Sequence, residues 1–562
     1  MIWLFLILLT IAATFIYIGN VKKRRLKRIK SLIAKWGKPK ENEYFDFNAI
    51  EQYFKNTPNK NGAYYIISEQ TKDDLNLNEI FKYIDRTTSK PGQQYLYYKI
   101  RAIQSRKDLY KFDKLVKLFE IQDDTASQIN NKEKNSGLTL NCQIELSKLN
   151  SSSSYALEKL IHEPAIPKPY YHKYLLPLSM LSALIVIAGF FSPAYFLLLL
   201  PVFITNALLH YKTKSYIRYY LNAVSQLNTA LKVSKKLISY KKIKEHFPDL
   251  SFIEKIDEIR LKTSFISFEK QMDNELTAFF WFLLELIKIQ FNIEGLIFYS
   301  FIDDIIKKRA SIDRMFCFTG EIDSAISVAS LKYKNNNICI PEFSGAKAIS
   351  IKNMIHPLIK DCIPNDIELK NKSLLLTGSN MSGKTTFIRA VAINSILSQT
   401  LNLAFAGKFT IPYYKIFSSI GIEDDLLSDT SYYLKEVLTI KEFIDNANTD
   451  HPNLFVLDEI FKGTNTIERI SAGKSILSYL NNENNIVLVA THDIELTQLL
   501  DDEGFDLYYF AEKIEYNKLI FDYKLKRGKL KAGNALKILE LYDYPPEIIK
   551  DAMELKNRLS NR

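Results

Sequence analysis

The sequence predicts an α/β domain with a mainly parallel sheet, preceded by a long all-α region that carries transmembrane helices. Two observations predict the helical part: helical periodicity recurs through residues 40–345, and two long segments before residue 210 contain no charged residue. A third observation predicts the sheet, because short apolar runs in the C-terminal third each end at a cluster of polar residues. The 562 residues allow about three or four domains of roughly 150 residues each.

The composition excludes several protein classes. Apolar residues make up 47% of the chain and charged residues 25%, which excludes a wholly disordered or collagen-like chain. The four cysteines contain no CxxC pair and the seven histidines form no HExxH motif, so neither a disulfide scaffold nor a histidine-based metal site is expected. The net charge of +12 is uneven, since seven basic residues lie within Val21–Lys30.

The N-terminal segment is predicted to be a membrane anchor. Residues Ile2–Ile18 carry no charge, and the basic cluster Lys22–Lys30 follows them. A cleaved signal peptide is the alternative, but its basic residues would precede the apolar run and a small-residue cleavage site would follow it. We therefore expect an uncleaved anchor within residues 1–30, with its basic end in the cytoplasm.

A second uncharged segment, Leu175–Leu209, is predicted to form a transmembrane hairpin that turns at Ser192-Pro193. Lysines and tyrosines flank it on both sides, as expected at a membrane interface. A buried hairpin in a soluble core is the alternative.

A third apolar stretch, Ala278–Phe301, contains three charged residues that are costly at bilayer depth, so it is expected to be a mostly buried core helix.

The first of the short apolar runs leads into a phosphate-binding motif. Ser373–Thr377 is predicted to be a buried strand, Gly378–Thr385 matches GxxxxGK[ST], and Phe387–Leu397 is predicted to be a helix. Glycines let the backbone wrap around phosphates, with N–H groups and a helix N-terminus pointing inward. Lys384 would neutralise the β- and γ-phosphates and Thr385 would hold Mg²⁺.

Two further strands supply the remaining chemistry. Leu454–Leu457 ends at Asp458, which suits the Mg²⁺ shell, and at Glu459, which could deprotonate an attacking water. A third strand, Ile486–Ala490, ends near His492, which is placed to contact the γ-phosphate. A solvated carboxylate and a structural histidine are the alternatives for Glu459 and His492.

These motifs resemble, in order and in spacing, the ATPase domain of the MutS family of DNA mismatch-repair ATPases, which belong to the ABC superfamily. The stretch from His356 to about Pro546 carries the resemblance. Its blocks are TGSNMSGKTTFIRAVA at 377–392, GIEDDLLSDTSYYLKE at 421–436, DEIFKGTNTIERISAG at 458–473 and ATHDIELT at 490–497. Upstream, Asp85–Arg101 resembles the start of the family's helical core.

The resemblance implies an ABC-type P-loop ATPase domain attached to a helical core and lever region, with ATP and Mg²⁺ as cofactors. Glu459, His492 and Lys384 would be catalytic, and Thr385 and Asp458 would support Mg²⁺. Ser431 would reach the nucleotide of the partner subunit in trans, which implies a homodimer. The nucleotide-binding set that the resemblance implies is Gly378, Ser379, Asn380, Met381, Ser382, Gly383, Lys384, Thr385, Thr386 and Ser431.

The expected domain organisation combines the membrane segments with the resemblance. The anchor and its basic cluster occupy 1–30, a linker 31–79, the helical core with its hairpin at 175–209 occupies 80–345, the ATPase domain 346–532, and a C-terminal helical dimerisation segment 533–562. The protein would then be a multi-pass protein of the cytoplasmic membrane, with its ATPase domain in the cytoplasm.

Departures from the family leave the function open. Only about 60 residues separate the anchor from the helical core, too few for the family's mismatch-reading domain, and Cys362 stands where an adenine-stacking aromatic is usual. The expected function is ATP-dependent binding of double-stranded or branched DNA, with hydrolysis coupled to opening and closing of a clamp. The alternative is a membrane ATPase acting on a non-DNA partner. A transporter is disfavoured, since its few spans contain almost no ionisable group.

Overall fold

The structure is a computed structural model. It describes residues 2–41, 43–57, 62–121, 134–163, 168–258, 278–379, 381–421, 432–461, 464–482, 484–515, 518–530 and 535–560. The described chain forms two compact units. The first contains Met1–Asn59, Asp85–Tyr98 and Lys114–Tyr333, and the second contains Lys60–Ile84, Lys99–Asp113 and Lys334–Arg562.

Within the described residues of the first 333 positions, the regular structure is helical apart from one short strand pair, as the periodicity predicts. The helices are α1 (Ile2–Lys35), α2 (Phe47–Ile50), α3 (Gln52–Asn56), α4 (Glu69–Asp74), α5 (Leu77–Ile84), α6 (Lys90–Arg101), α7 (Arg106–Phe119), α8 (Lys134–Leu146), α9 (Leu157–His162), α10 (His172–Phe191), α11 (Leu199–Ile238), α12 (Lys241–His246), α13 (Ser251–Asp257), α14 (Ala278–Gln290) and α15 (Ile293–Lys332). The antiparallel strands are β1 (Tyr65–Ile66) and β2 (Ala102–Ile103).

The remaining residues form an α/β region. Its strands are β3 (Ile338–Cys339), β4 (Glu342–Ser344), β5 (Ala348–Met354), β6 (Asn365–Lys370), β7 (Ser373–Thr377), β8 (Ala404–Phe405), β9 (Lys408–Pro412), β10 (Lys415–Ser419), β11 (Asn453–Asp458), β12 (Asn485–Thr491), β13 (Phe505–Tyr509), β14 (Glu512–Glu515), β15 (Lys518–Phe521) and β16 (Lys526–Arg527). Its helices are α16 (Lys384–Leu401), α17 (Tyr432–Ala447), α18 (Thr466–Leu480), α19 (Glu495–Leu499), α20 (Ala535–Leu541) and α21 (Pro546–Ser560).

A six-stranded sheet is the centre of the second unit. Its order is β10-β11-β12-β7-β13-β16, and the first five strands are parallel while β16 is antiparallel at the edge. The three strands predicted from sequence are β7, β11 and β12, and they lie side by side in the sheet in the order β11-β12-β7. Every side chain of β7 and β12 is buried, which explains their uninterrupted apolar sequences. The expectation of a helical region followed by an α/β region is confirmed.

A close contact inside the first unit explains a glycine of the helical-core motif. A Cβ on Gly92 would lie 2.1 Å from the Oδ2 atom of Asp323. That carboxylate is fully buried, and it accepts hydrogen bonds from the backbone N–H groups of Thr88 (2.9 Å) and Ser89 (2.7 Å). Gly92 therefore allows α6 to approach α15 closely enough for Asp323 to fix the start of α6.

The uncharged hairpin segment turns where the sequence predicts. α10 ends at Phe191, Ser192 is extended, and a 3₁₀ turn at Pro193–Leu198 leads into α11. By length and composition, His172–Phe191 and Pro193–Lys214 could each cross a bilayer. Their large apolar side chains are mostly exposed, with 63% of Leu184 and 82% of Phe190 accessible, which argues against a buried hairpin in a soluble core.

The stretch Ala278–Phe301 forms two helices instead of the single core helix expected, and its second part is largely buried, including Phe298, Tyr299 and Phe301. The stretch is interrupted at Phe291–Asn292, where α14 ends and α15 begins, and Asn292 has a φ of +49°. Among the side chains of α14 that the structure describes, Phe282, Leu283, Leu284 and Ile287 are exposed. Of its three charged residues, Lys288 pairs with Glu285 at 2.9 Å and Glu294 lies 3.6 Å from His210.

Candidate functional site

Three strand ends of the parallel sheet bring the predicted site residues together. β7 leads into the glycine loop, β11 ends at Asp458, and β12 ends one residue before His492. Asp458 pairs with Ala490 in the sheet register, and Thr491 pairs with Thr377. Because the carboxyl ends of parallel strands lie on one edge, groups separated by more than 100 residues share one site.

The glycine loop is tightly folded around its own lysine. Lys384 is buried, and its Nζ donates to the carbonyl oxygens of Gly378 (2.9 Å) and Ser379 (3.0 Å). Gly378 has a φ of +155°, and a Cβ there would lie 2.8 Å from the carbonyl oxygen of Phe510. The loop thus requires glycine and holds the ammonium group at the mouth of α16.

The loop also fits a phosphate group. The hydroxyl of Ser382 is buried and has no hydrogen-bond partner among the described residues, although buried polar atoms are normally paired. Gly383, with a φ of +108°, immediately precedes α16, so the first N–H groups of that helix face the loop. An anion at this position would pair with the hydroxyl and with the positive end of the helix.

Thr385 and Asp458 form the pair that fits Mg²⁺. The Oγ1 atom of Thr385 donates to Oδ2 of Asp458 at 2.6 Å. Burial raises the pKa of Asp458, and the neighbouring Glu459 carboxylate raises it further, whereas the hydrogen bond from Thr385 and the charge of Lys384 oppose the shift. A hydroxyl and a carboxylate at this spacing are hard oxygen ligands of the kind that Mg²⁺ prefers.

One ring nitrogen of His492 lies within hydrogen-bond distance of both Glu459 and Lys384. The Nε2 atom of His492 lies 3.0 Å from Oε1 of Glu459 and 3.1 Å from Nζ of Lys384. If Nε2 carries a proton it can donate to Glu459, and if it does not it can accept from Lys384, so one tautomer satisfies only one of the two contacts.

Glu459 is held in a strained backbone conformation. Its φ is +55°, in the left-handed region, and that of Phe461 is +56°. The backbone N–H of Glu459 donates to the carbonyl oxygen of Ala490 (2.9 Å), which fixes the turn against β12. Strain of this kind is common at functional sites, where surrounding contacts impose it.

The structure adds residues that sequence reasoning did not assign. Glu436, the last residue of the 421–436 block, is buried and accepts a hydrogen bond from the backbone N–H of Phe461. Arg469 makes two hydrogen bonds to the carboxylate of Asp493, at 2.9 and 2.7 Å. Glu436 and Arg469 both lie in blocks that resemble the MutS family, and this was the sequence evidence that could have indicated them. The sequence did not indicate which residues they contact.

A cavity of about 640 Å³ extends from the glycine loop. Ser379, Met381, Gly383, Lys384, Thr385, Thr386 and Glu459 line one part of it, and Met354, His356, Ile359, Cys362 and Tyr523 line another. Cys362 thus lies at the cavity, as the resemblance implied, together with an aromatic ring from a different segment. Burial, and secondarily the charge of Arg389, lowers the pKa of His356 to about 4, so its imidazole is neutral near pH 7.

Two predicted site residues, Asn380 and Ser431, lie outside the described residues. Of the others, Met381 is exposed with a φ of +66°. The structure brings the remaining loop residues, Asp458, Glu459 and His492 to one edge of the sheet.

Comparison with known proteins now adds to this geometry. Residues 374–560 match the family model for MutS domain V. The C-terminal part of the chain is similar to MutS. The DNA mismatch repair protein MutS of Clostridium kluyveri is 30% identical over 271 residues, which cover 46% of this chain and 31% of that protein. The MutS of Staphylococcus haemolyticus is 33% identical over 244 residues, which cover 41% of this chain and 27% of that protein.

The MutS of Clostridium botulinum strain Okra is 31% identical over 270 residues, covering 46% of this chain and 28% of that protein. This chain therefore spans about a third of the length of the MutS relatives that it matches. The similarity to MutS contains the glycine loop and the three strand ends described above.

Proposed function

We propose that this protein is a MutS-like, membrane-tethered ATPase that binds and hydrolyses Mg²⁺·ATP and works as a homodimer on DNA. The convergence of Lys384, the Thr385–Asp458 pair and the Glu459–His492 pair on one sheet edge carries the ATPase proposal. Each group has a role in phosphoryl transfer to water, and the similarity to MutS domain V supports the same assignment.

The proposed roles follow from the geometry. Bound Mg²⁺, held by Thr385 and Asp458, would offset the charge of the phosphates. Lys384 would exchange its carbonyl contacts for phosphate oxygens. Glu459 would accept a proton from the attacking water, and His492, released from Lys384, would hold the Glu459 carboxylate or contact the terminal phosphate.

DNA is the proposed partner because the relatives with similar sequence are named DNA mismatch repair proteins. The expected substrate class is double-stranded or branched DNA, with ATP hydrolysis coupled to opening and closing of a clamp. The homodimer is supported by exposed apolar side chains on the C-terminal helix α21, among them Ile548 and Leu555, which a second copy could cover.

The membrane tether is proposed from the exposed hairpin. α10, the 3₁₀ turn and the first part of α11 expose large apolar side chains over two segments that are each long enough to cross a bilayer. The N-terminal anchor adds a third proposed span. This surface also favours the second candidate function, a MutS-like membrane ATPase whose partner is not DNA.

Purified detergent-solubilised protein tests the proposal directly. We expect Mg²⁺-dependent release of phosphate from ATP, lost in Lys384→Ala and in Thr385→Val, and unchanged in the surface control Lys441→Ala. Binding to homoduplex, mismatched, branched and single-stranded DNA should be measured with and without ATP across a salt series. A steep salt slope with ATP-modulated affinity supports the clamp on DNA. Intact ATPase activity with no DNA binding at low salt would instead favour the non-DNA partner.

Membrane attachment has its own measurement. In cell fractions, the protein should remain in the membrane pellet after alkaline carbonate extraction, which removes peripheral proteins. Recovery in the soluble fraction would overturn the proposed tether.

A further inference from the structure

The break between α14 and α15 is stabilised by polar side chains from the hairpin. The carbonyl oxygen of Gln290, at the end of α14, accepts hydrogen bonds from Nδ2 of Asn206 (2.6 Å) and from Oγ of Ser182 (3.0 Å). Nδ2 of Asn292 donates to Oδ1 of Asn206 at 2.8 Å. Ser182 and Asn206 are both fully buried. Ser182 also lies 2.9 Å from the carbonyl oxygen of Leu178 in its own helix, so the amide of Asn206 is the main side-chain group that satisfies this turn.

The turn lies deep along the hairpin. Ser182 is the eleventh residue of the 20-residue helix α10. Ten residues of helix advance about 15 Å, half of a hydrocarbon core of roughly 30 Å. Gly295, three residues after the turn, lies beside Leu175 and Thr213, close to the ends of the two candidate spans. The chain thus reaches the middle of the hairpin at Gln290 and returns toward its base by Gly295.

The charged residues of α14 point inward. Nζ of Lys288 lies 2.9 Å from Oε2 of Glu285, and Nζ of Lys214 lies 3.3 Å from Oε1. Nε2 of His210 lies 3.4 Å from Oε1 of the same carboxylate and 3.6 Å from Oε2 of Glu294. Charges inside a membrane protein normally face the bundle and pair in this way. The two lysines pair with Glu285, and His210 lies between Glu285 and Glu294, so this cluster is a polar network between α11, α14 and α15.

α14 exposes Leu283 and Ile287 on the side roughly opposite Glu285, and the exposed Phe282 and Leu284 flank that side. Phe282 is 56% accessible and Ile287 50%. α14 packs against α11 within the same compact unit, so this face continues the exposed apolar surface of the hairpin. A helix with paired charges inside and bulky apolar groups outside has the polarity expected of a lipid-facing helix.

We propose that α14 and the start of α15 form a re-entrant helical hairpin that enters the same membrane as α10 and α11 and returns on the side from which it entered. Its outer face contacts lipid acyl chains, and Ser182 and Asn206 satisfy the backbone at its turn. Non-helical backbone at bilayer depth is tolerated only where protein groups bond it, which is what these two residues do. This inference rests on the proposed membrane tether.

Quenching of single tryptophans by brominated lipids tests it on the full chain. Trp3, Trp36 and Trp281 are first replaced by Phe. A tryptophan is then introduced as Ile287→Trp or Phe282→Trp on α14, as Leu184→Trp on the hairpin, or as Tyr44→Trp at an exposed position outside all proposed spans. The proteins are reconstituted in phosphatidylcholine and phosphatidylglycerol vesicles whose acyl chains are brominated near the headgroup or near the chain centre, and retained ATPase activity checks folding.

We expect Ile287→Trp to lose as large a fraction of its fluorescence as Leu184→Trp, and Tyr44→Trp to lose none. Phe282 lies five residues further from the turn, about 7.5 Å along the helix, so Phe282→Trp should be quenched more by the shallow bromines than by the deep ones. Quenching of Leu184→Trp without quenching of Ile287→Trp would overturn the re-entrant hairpin while leaving the tether intact. Absence of quenching at Leu184→Trp would overturn the tether itself.

A second pair of variants tests the role of the polar turn. Asn206→Leu removes the amide that contacts Gln290 and Asn292. Thr205→Leu removes a hydroxyl that, among the described residues, bonds to the carbonyl oxygen of Pro201 in its own helix (3.0 Å). Combined with Ile287→Trp, Asn206→Leu should shift quenching toward the shallow bromines and Thr205→Leu should not. An unchanged depth in Asn206→Leu would refute the assignment of Asn206 as the residue that holds the turn.

Discussion

Replacing Glu459 by Gln removes the carboxylate proposed to accept the water proton while keeping the shape of the side chain. A positioned general base contributes about 10²–10⁴-fold to a rate, equivalent to about 2.7–5.5 kcal/mol of activation free energy. We therefore expect kcat for ATP hydrolysis to fall by that factor in Glu459→Gln. ATP affinity should change little, because the groups proposed to bind phosphate and Mg²⁺ are Lys384, Thr385 and Asp458.

The structure also predicts that the variant folds normally. The backbone N–H of Glu459 bonds to the carbonyl oxygen of Ala490, and this contact does not depend on the side chain. The amide oxygen of Gln can still accept from His492 at the observed 3.0 Å separation. Gln adopts the same left-handed backbone at a similar cost, so the free energy of unfolding should change by less than about 0.5 kcal/mol.

Phosphate release under saturating Mg²⁺·ATP measures the turnover, and equilibrium nucleotide binding measures the affinity. Glu468→Gln is the matched control, since Glu468 is an exposed glutamate in the first turn of α18. Wild-type turnover in Glu459→Gln would refute Glu459 as the base. A parallel loss of ATP affinity would show instead that the substitution disrupts the binding site.

Three further predictions follow from other contacts. Gly92→Ala should lower the free energy of unfolding by about 1–3 kcal/mol, because the new Cβ would collide with the carboxylate of Asp323. Gly345→Ala is the control, since the space around Gly345 is open and its stability should not fall. Denaturant unfolding compares the two variants. Burial raises the pKa of Asp74 to about 6 from 3.8. The stability that the protonated carboxyl contributes below pH 4 is lost as the pH rises toward and through 6. Asp74→Asn should remove that loss, gaining up to about 3 kcal/mol relative to wild type between pH 4 and 7 in unfolding titrations, and a pH-independent difference would contradict it. Ser431→Ala should lower ATPase activity only in the dimer, and full activity of a monomeric preparation would exclude a composite site.

Much of the candidate site could be predicted because its chemistry is local in sequence. The spacing of Gly378 to Thr385 determines a loop between a strand and a helix, and the observed strand β7 has the predicted bounds Ser373–Thr377. The acids after β11 and the histidine after β12 could be placed at one edge, because parallel strands align their carboxyl ends. The finer contacts were not predictable, since the partners of Glu436 and Arg469 are 25 and 24 residues away.

The surroundings of the charged residues in α14 and at the start of α15 show the opposite case, since their partners could not be read from the sequence. Glu285, Lys288 and Glu294 suggested a soluble core helix because an isolated charge is costly in a bilayer. The structure pairs them with one another and with His210 and Lys214 of α11, so their cost cannot be judged from the α14 sequence alone. The break at Asn292 was equally hidden, because Ser182 and Asn206, which satisfy it, lie more than 80 residues upstream.

The sequence by itself determined the order of helical and α/β regions, the uncharged hairpin, and the glycine loop with its three strand ends. These features depend on periodicity, charge and backbone conformation within a few consecutive residues, which are properties of a short segment. Only the tertiary structure decided that Gly92 must accommodate Asp323, that the His492 nitrogen is shared between Glu459 and Lys384, and that the charges of α14 face inward. Each of these depends on the distance between groups far apart in the chain, and that distance is set by packing.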